Sequence, residues 1–242
     1  MTAPGGLLGR GLHLLGAILV ALPLTGDAFA GALVSRGGTA VVSARPITDF
    51  HPSEPGRRKF GELEFLGGLV LTSSDTAFQS LSALISRDGG RDLVAIGDEG
   101  TWIGLRLKTD ETGRPLAVDD VRTAPLLDAD GRTFPSKWDR DSESLTYRAT
   151  PGGGELLVGF EGRHRVLSYA VKGDLRSAFE APGKPVTGLP REIASLRNNR
   201  GLEGLAVAPA GSPLAGALLL FAEEPRPGEA DQPVWIVGGP SP

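Results

Sequence analysis

One motif returns three times at a spacing of about sixty residues, and this repeat constrains the fold more than any single residue does. It reads Ser82-Ala83-Leu84, then Glu143-Ser144-Leu145, then Glu203-Gly204-Leu205. Each copy is followed by a Gly-containing turn, an apolar run and an acidic stop. The runs are Leu93-Val94-Ala95-Ile96-Gly97-Asp98-Glu99, Leu156-Leu157-Val158-Gly159-Phe160-Glu161 and Leu218-Leu219-Leu220-Phe221-Ala222-Glu223-Glu224. Self-similarity at a fixed period marks one supersecondary unit copied along the chain, whose copies must stack to bury a shared core. Short apolar runs split by Gly and Pro point to sheets rather than helix pairs.

The first repeat parses into four strands by alternation and turn signals: Leu81 to Ser86, Asp92 to Asp98, Trp102 to Lys108 and Leu116 to Val121. The second has the same grammar across Glu143 to Ala149, Leu156 to Phe160 and Val166 to Val171, with a weaker fourth strand. The third gives Leu205 to Ala208, Leu218 to Phe221 and Val234 to Val237, and its fourth strand is missing. Four antiparallel strands per unit is the grammar of a β-propeller blade, so the expected fold is all-β and propeller-like. A β-sandwich with accidental internal similarity is the competing reading. Propellers usually close with ~4 to 8 blades, and this sequence encodes two clear ones, part of a third and an N-terminal piece. The expectation is therefore a truncated form; the alternative is that two chains complete one ring. An open ring would expose sheet faces and edges and invite self-association.

Composition agrees with strands and turns. The 35 Gly and 19 Pro among 242 residues favour many short strands over a helical bundle. A net charge of -4, with no basic stripe, argues against a nucleic-acid partner. The N-terminus reads as a secretory signal over residues 1–30. Arg10 precedes the apolar run Leu12 to Leu22, Pro23 and Gly26 break it, and Ala28-Phe29-Ala30 offers small residues at the cleavage positions. An uncleaved anchor is the alternative, but the run is shorter than the ~18 to 20 residues that span a bilayer. A periplasmic or secreted protein follows, with no membrane contact after cleavage. Residues 31–59 read as an extended lead-in, and residues 60–242 as the propeller-like domain.

Several segments resemble the bacterial phytase-like proteins, described as the esterase-like activity of phytase family. They are Phe78 to Leu84 leading to Ala95 to Trp102, Pro125 to Gly131, Asp139 to Leu145, Gly159 to Val166, and Asn198 to Leu205. The resemblance covers most of the chain from about Pro46 onward. It implies a propeller-like fold, export, and hydrolysis of an ester or phosphate ester. Family members usually continue through further repeats and a Gly-rich acidic closing segment that this sequence does not contain.

The recurring carboxylates are the candidate metal ligands. Glu143 and Glu203 open their repeats, while Asp98, Glu99, Glu161 and Glu223 follow the second strands, with Glu224 beside the last. Equivalent positions of successive blades converge at one end of a central channel, where clustered carboxylates repel one another unless a cation offsets them. Such hard oxygen donors suit Ca2+ or Mg2+, and calcium is the cofactor expected by analogy with the true phytase propellers. The competing reading pairs these acids with neighbouring Arg140, Arg163, Arg165 or Arg200 to hold the repeats together. His164, between Arg163 and Arg165, is the candidate general acid, and the two arginines are candidate contacts to an anionic substrate. A surface turn is the plainer reading of that trio. No Gly-x-Ser-x-Gly elbow occurs, and two His outside the signal with no Cys make zinc a poor fit. Trp102 and Trp235 fall at matching places in the third strands. The leading function is metal-assisted hydrolysis of a small-molecule ester or phosphate ester. The alternative is a non-catalytic propeller that binds a ligand or protein partner.

Overall fold

The computed structural model describes residues 37–196, 200–225 and 228–239. The signal-peptide reading falls on residues 1–30, outside that range. The chain is all-β, built as a series of small antiparallel sheets. In order the strands are β1 (Gly38–Thr39), β2 (Val42–Ile47), β3 (Lys59–Phe60), β4 (Leu63–Glu64), β5 (Gly68–Ser73), β6 (Leu81–Arg87), β7 (Asp92–Gly97), β8 (Thr101–Thr109) and β9 (Pro115–Pro125). A one-turn helix α1 (Lys137–Arg140) follows, then β10 (Ser142–Thr150), β11 (Gly153–Phe160), β12 (Arg165–Val171), β13 (Lys184–Pro185), β14 (Leu202–Val207), β15 (Leu218–Ala222) and β16 (Val234–Val237).

Three of the sheets are meanders in sequence order, one per repeat. The first is β6 to β9, the second β10 to β13 and the third β14 to β16. Neighbouring strands pair because each is joined to the next by a short turn, and the period-2 pattern gives each sheet two apolar faces. The lead-in is more integrated than its sequence suggests. β1 adds a fifth strand to the first sheet by pairing with β9, Gly38 opposite Thr123, and β2 pairs with β5 over six residues.

The core fills the spaces between successive sheets. Leu69 and Leu71 of β5 pack with Leu93, Ala95, Ile103 and Leu105 of the first sheet. The other face of that sheet, with Val94, Ile96 and Trp102, packs on Leu145, Leu156, Val158 and Phe160 of the second. The far face of the second, with Leu157 and Val166, meets Leu202, Leu218 and Leu220 of the third. Trp102 is fully buried, stacked on Phe179 at 5.4 Å and edge-on to Tyr169 at 5.1 Å. Offset and edge-to-face ring pairs of this kind add about 0.5–1.5 kcal/mol beyond their buried area.

The register revises the matching of the tryptophans. Trp102 sits opposite Ile96, and Val234 sits opposite Phe221, the counterpart of Ile96. Val234 therefore holds the place of Trp102, while Trp235 points to the other face, toward the joint with the second sheet. A one-residue slip in a strand reverses every side chain, so the two indoles serve opposite faces.

Candidate functional site: a carboxylate cluster at three repeated bulges

Each repeat breaks its first strand pair at the same point. The register skips Ser82 between Leu81 and Ala83, Glu143 between Ser142 and Ser144, and Glu203 between Leu202 and Gly204. These are β-bulges, in which an inserted residue loses its ladder partner and its side chain is re-aimed. The recurring motif is therefore a backbone device as much as a choice of side chain. A second link recurs with it: the amides of Asp98, Glu161 and Glu223 donate to the carbonyls of Ser80, Asp141 and Gly201, at 2.9, 2.8 and 3.1 Å. Each acidic stop is thus tied to the start of its own sheet, beside the bulge.

Strand β10 lies against both β6 and β14, and buried serines fasten it there. Ser142 Oγ donates to Gly97 O at 2.8 Å in the first sheet, and Ser144 Oγ donates to Leu202 O at 2.7 Å in the third. The three bulges are thereby brought side by side.

Two overlapping acidic groups result. Asp141, Glu143 and Glu161 form one, and Glu161, Glu203 and Glu223 the other. Within each, one oxygen per residue lies within 4.8 Å of the rest. Glu161 belongs to both and is 5% exposed, with its Oε1 accepting from the Gly201 amide at 2.7 Å. Glycine at position 201 leaves room for the side chains of Glu161 and His164. A Cβ there would stand 2.8 Å from His164 Nδ1 and 3.0 Å from Glu161 Cγ.

The electrostatics follow from the crowding. Burial first, then the hydrogen bond and charge of Asp141, push Glu143 up to about 8, while a hydrogen bond from Ser82 acts the other way. Burial and the charges of Glu161, Glu223 and Asp141 raise Glu203 to about 7. Glu203 keeps contact with solvent, so the neighbouring charges are the part that a bound cation would reverse. Carboxylates this close cannot all ionise at neutral pH without a compensating positive charge.

Four of the six candidate ligands, Glu143, Glu161, Glu203 and Glu223, come together here. Asp98 and Glu99 lie outside the cluster, where α1 occupies them. Lys137 Nζ bonds Asp98 O at 2.8 Å, lies 3.2 Å from Asp98 Oδ2, and reaches Asp141 Oδ1 at 2.5 Å. Arg140 forks onto Glu99 Oε2 at 2.7 and 3.1 Å. His164 stands beside Glu161 across Gly201. Its two neighbours are turned to other partners. Arg163 is largely exposed and sits 3.4 Å from Asp139. Arg165 lies over the rings of Phe160 and Phe134, at 4.2 and 5.1 Å, and donates to the carbonyls of Arg163 and Asp139. Asp141 is the member of the cluster that sequence reasoning missed. Its signal was position alone, two residues ahead of a motif glutamate and aligned with Ser80 and Gly201.

An all-oxygen set of four glutamates and an aspartate fits a hard divalent cation, and the raised carboxyls mark where positive charge would be most stabilising. No curated protein matches the chain. The family model described as Phytase-like, esterase-like activity of phytase, matches residues 76–239, from just ahead of β6 to just past β16 and well over half of the chain. The chain belongs to the phytase-like family.

Proposed function

We propose that the protein is a metal-assisted hydrolase of esters, phosphate esters included, whose reaction centre is the carboxylate cluster at the three bulges. The observation that carries this reading is Glu161, one buried carboxylate shared by two acidic triads. Glu161 with Glu203 and Glu223, or with Asp141 and Glu143, would hold the cation, of which Ca2+ is the first candidate. A cation held so would polarise a phosphoryl or carbonyl oxygen and lower the pKa of bound water. The chain's own part is to hold the carboxylates at fixed places on bulged strands and to keep His164 beside Glu161, within reach of a proton on a leaving group. Arg163, being exposed, can swing from Asp139 toward an anionic substrate; Arg165 fixes the loop by stacking.

The same reading treats the sheets as blades of a propeller-like arrangement. Support comes from the meander in each repeat, the face-to-face sequence of sheets, and the adjacency of β6, β10 and β14. Export rests on residues 1–30, and N-terminal sequencing of protein recovered from the periplasm tests it. No helix among the described residues is long and apolar enough to cross a membrane.

Thermal melting of the protein after EDTA, and again with millimolar Ca2+ or Mg2+, tests the site, followed by turnover of p-nitrophenyl phosphate and p-nitrophenyl acetate. A rise in melting temperature with metal and metal-dependent turnover, both lost in Glu161→Gln, is the expected result. A cooperative melt indifferent to metal would remove the cation from the proposal. Metal binding without turnover would leave a metal-dependent binding module.

A further inference from the structure

The turn that carries Glu161 and His164 also carries an exposed aromatic ring. Helix α1 is docked along that turn through its backbone. The Glu161 amide donates to Asp141 O at 2.8 Å, and the Arg163 amide donates to Trp138 O at 3.3 Å. Side chains hold the helix as well: Ser136 Oγ donates to Asp139 Oδ2 at 2.6 Å, Lys137 pairs with Asp98 and Asp141, and Arg140 pairs with Glu99. A single helical turn has little stability of its own, so these bonds set where Trp138 stands.

Trp138 lies on Gly162, the residue that follows Glu161. A Cβ at position 162 would stand 2.6 Å from Trp138 O and 3.0 and 3.1 Å from its ring carbons Cδ2 and Cε3. Gly162 has a φ of +61°, so the turn and the seat of the indole both call for glycine. Trp138 is nevertheless 45% exposed, and among the described residues no aromatic ring pairs with it. Trp102, by contrast, is fully buried against two rings. The guanidinium of Arg163 leaves the same turn and is largely open to solvent.

We propose that Trp138 is a substrate-binding residue that stacks on a flat ring in the leaving group, so that the site takes aryl phosphomonoesters. The proposal rests on the hydrolase reading above. Glu161 and its neighbours hold the cation on the phosphate, Arg163 meets the remaining negative charge, and the indole takes the ring. Any phosphate monoester meets the first two groups; only one with a ring also covers the indole. The turn is already ordered by its bonds to α1, so stacking there costs little conformational entropy. Covering Gly162 alone would need no more than an aliphatic side chain, and that difference separates a binding role from a structural one.

Calorimetric titration of the full chain in Ca2+ with phenylphosphonate and with methylphosphonate tests this, since neither has an ester bond to hydrolyse. Wild type should bind the phenyl compound tighter by roughly tenfold. Trp138→Phe should keep most of that preference, while Trp138→Leu and Trp138→Ala should bind the two compounds within about twofold of each other. Melting curves report whether each variant is folded. Equal binding of the two compounds by wild type overturns the proposal. So does a preference that survives in Trp138→Leu, or no binding of either compound. Turnover of p-nitrophenyl phosphate and glycerol 2-phosphate tests the hydrolase reading separately. A preference that depends on Trp138, with neither ester turned over, keeps the aryl phosphate site and removes the hydrolysis.

Discussion

The two joints between the repeats share a backbone plan and differ in charge. At the joint between the first and second sheets, the bulge carries Ser82, and the chain brings its own cations. Lys137 bridges Asp98 and Asp141, and Arg140 holds Glu99. At the joint between the second and third, Glu161, Glu203 and Glu223 converge, and among the described residues no lysine or arginine is ion-paired to them. The same fold position is thus neutralised internally in one place and left acidic in the other. What distinguishes a structural joint from a candidate ligand site here is where the counter-charge comes from.

That comparison can be broken at either joint. The largest expected effect is structural: Trp102→Ala empties the aromatic centre of the first joint and should cost about 3–5 kcal/mol in chemical denaturation. If the joints are separable, the variant should keep its response to added cation. Next comes the shared carboxylate. At a cation concentration of one hundred times Kd, binding stabilises the folded state by about 2.7 kcal/mol, and Glu161→Gln should remove that gain altogether. Glu203→Gln, which touches one triad only, should remove just part of it, as read by calorimetric titration.

The pH dependence sharpens the contrast further. Glu143 and Glu203 have their carboxyl pKa raised in the folded state. The folded protein therefore holds protons that the unfolded chain has released, and metal-free stability should fall as pH rises from about 4.5 toward about 8. Added cation should restore more stability at the alkaline end than at the acid end, because the carboxyls must deprotonate to bind it. The smallest effect is expected from Lys137→Met. Its ion pairs are partly solvated, so the loss should be about 0.5–1 kcal/mol. Freed of its ammonium, however, the first joint should become acidic in the manner of the second, and the cation-dependent rise in melting temperature should grow.

Much of this was legible in the sequence. Most strand bounds of the three repeats lie within a residue or two of where alternation and Gly-rich turns place them, because those signals are local; β9, β11 and β14 each run three or four residues past the expected bound at one end. Glu143, Glu161, Glu203 and Glu223 were recognisable by recurrence alone. Three things were not legible. A bulge leaves no mark of its own in the apolar alternation, so nothing in the pattern shows that Ser82, Glu143 and Glu203 are extra residues. The pairing of Lys137 with Asp98 runs between repeats, 39 residues apart, and sequence spacing does not encode it. The face of Trp235 depended on register, where a slip of one residue reverses the answer.

The strand β1 has a consequence for how the chain matures. Gly38 pairs with Thr123, so a chain that emerges N-terminus first must present its earliest described strand to a partner 85 residues behind it. At about 5–20 residues per second of synthesis, that is a wait of roughly 4–17 s, during which Gly38 and Thr39 have no strand to pair with. β2 finds β5 sooner, and can shelter the segment in the meantime. The first sheet is thus sealed by the oldest residues in it, and its final edge is set only when β9 arrives.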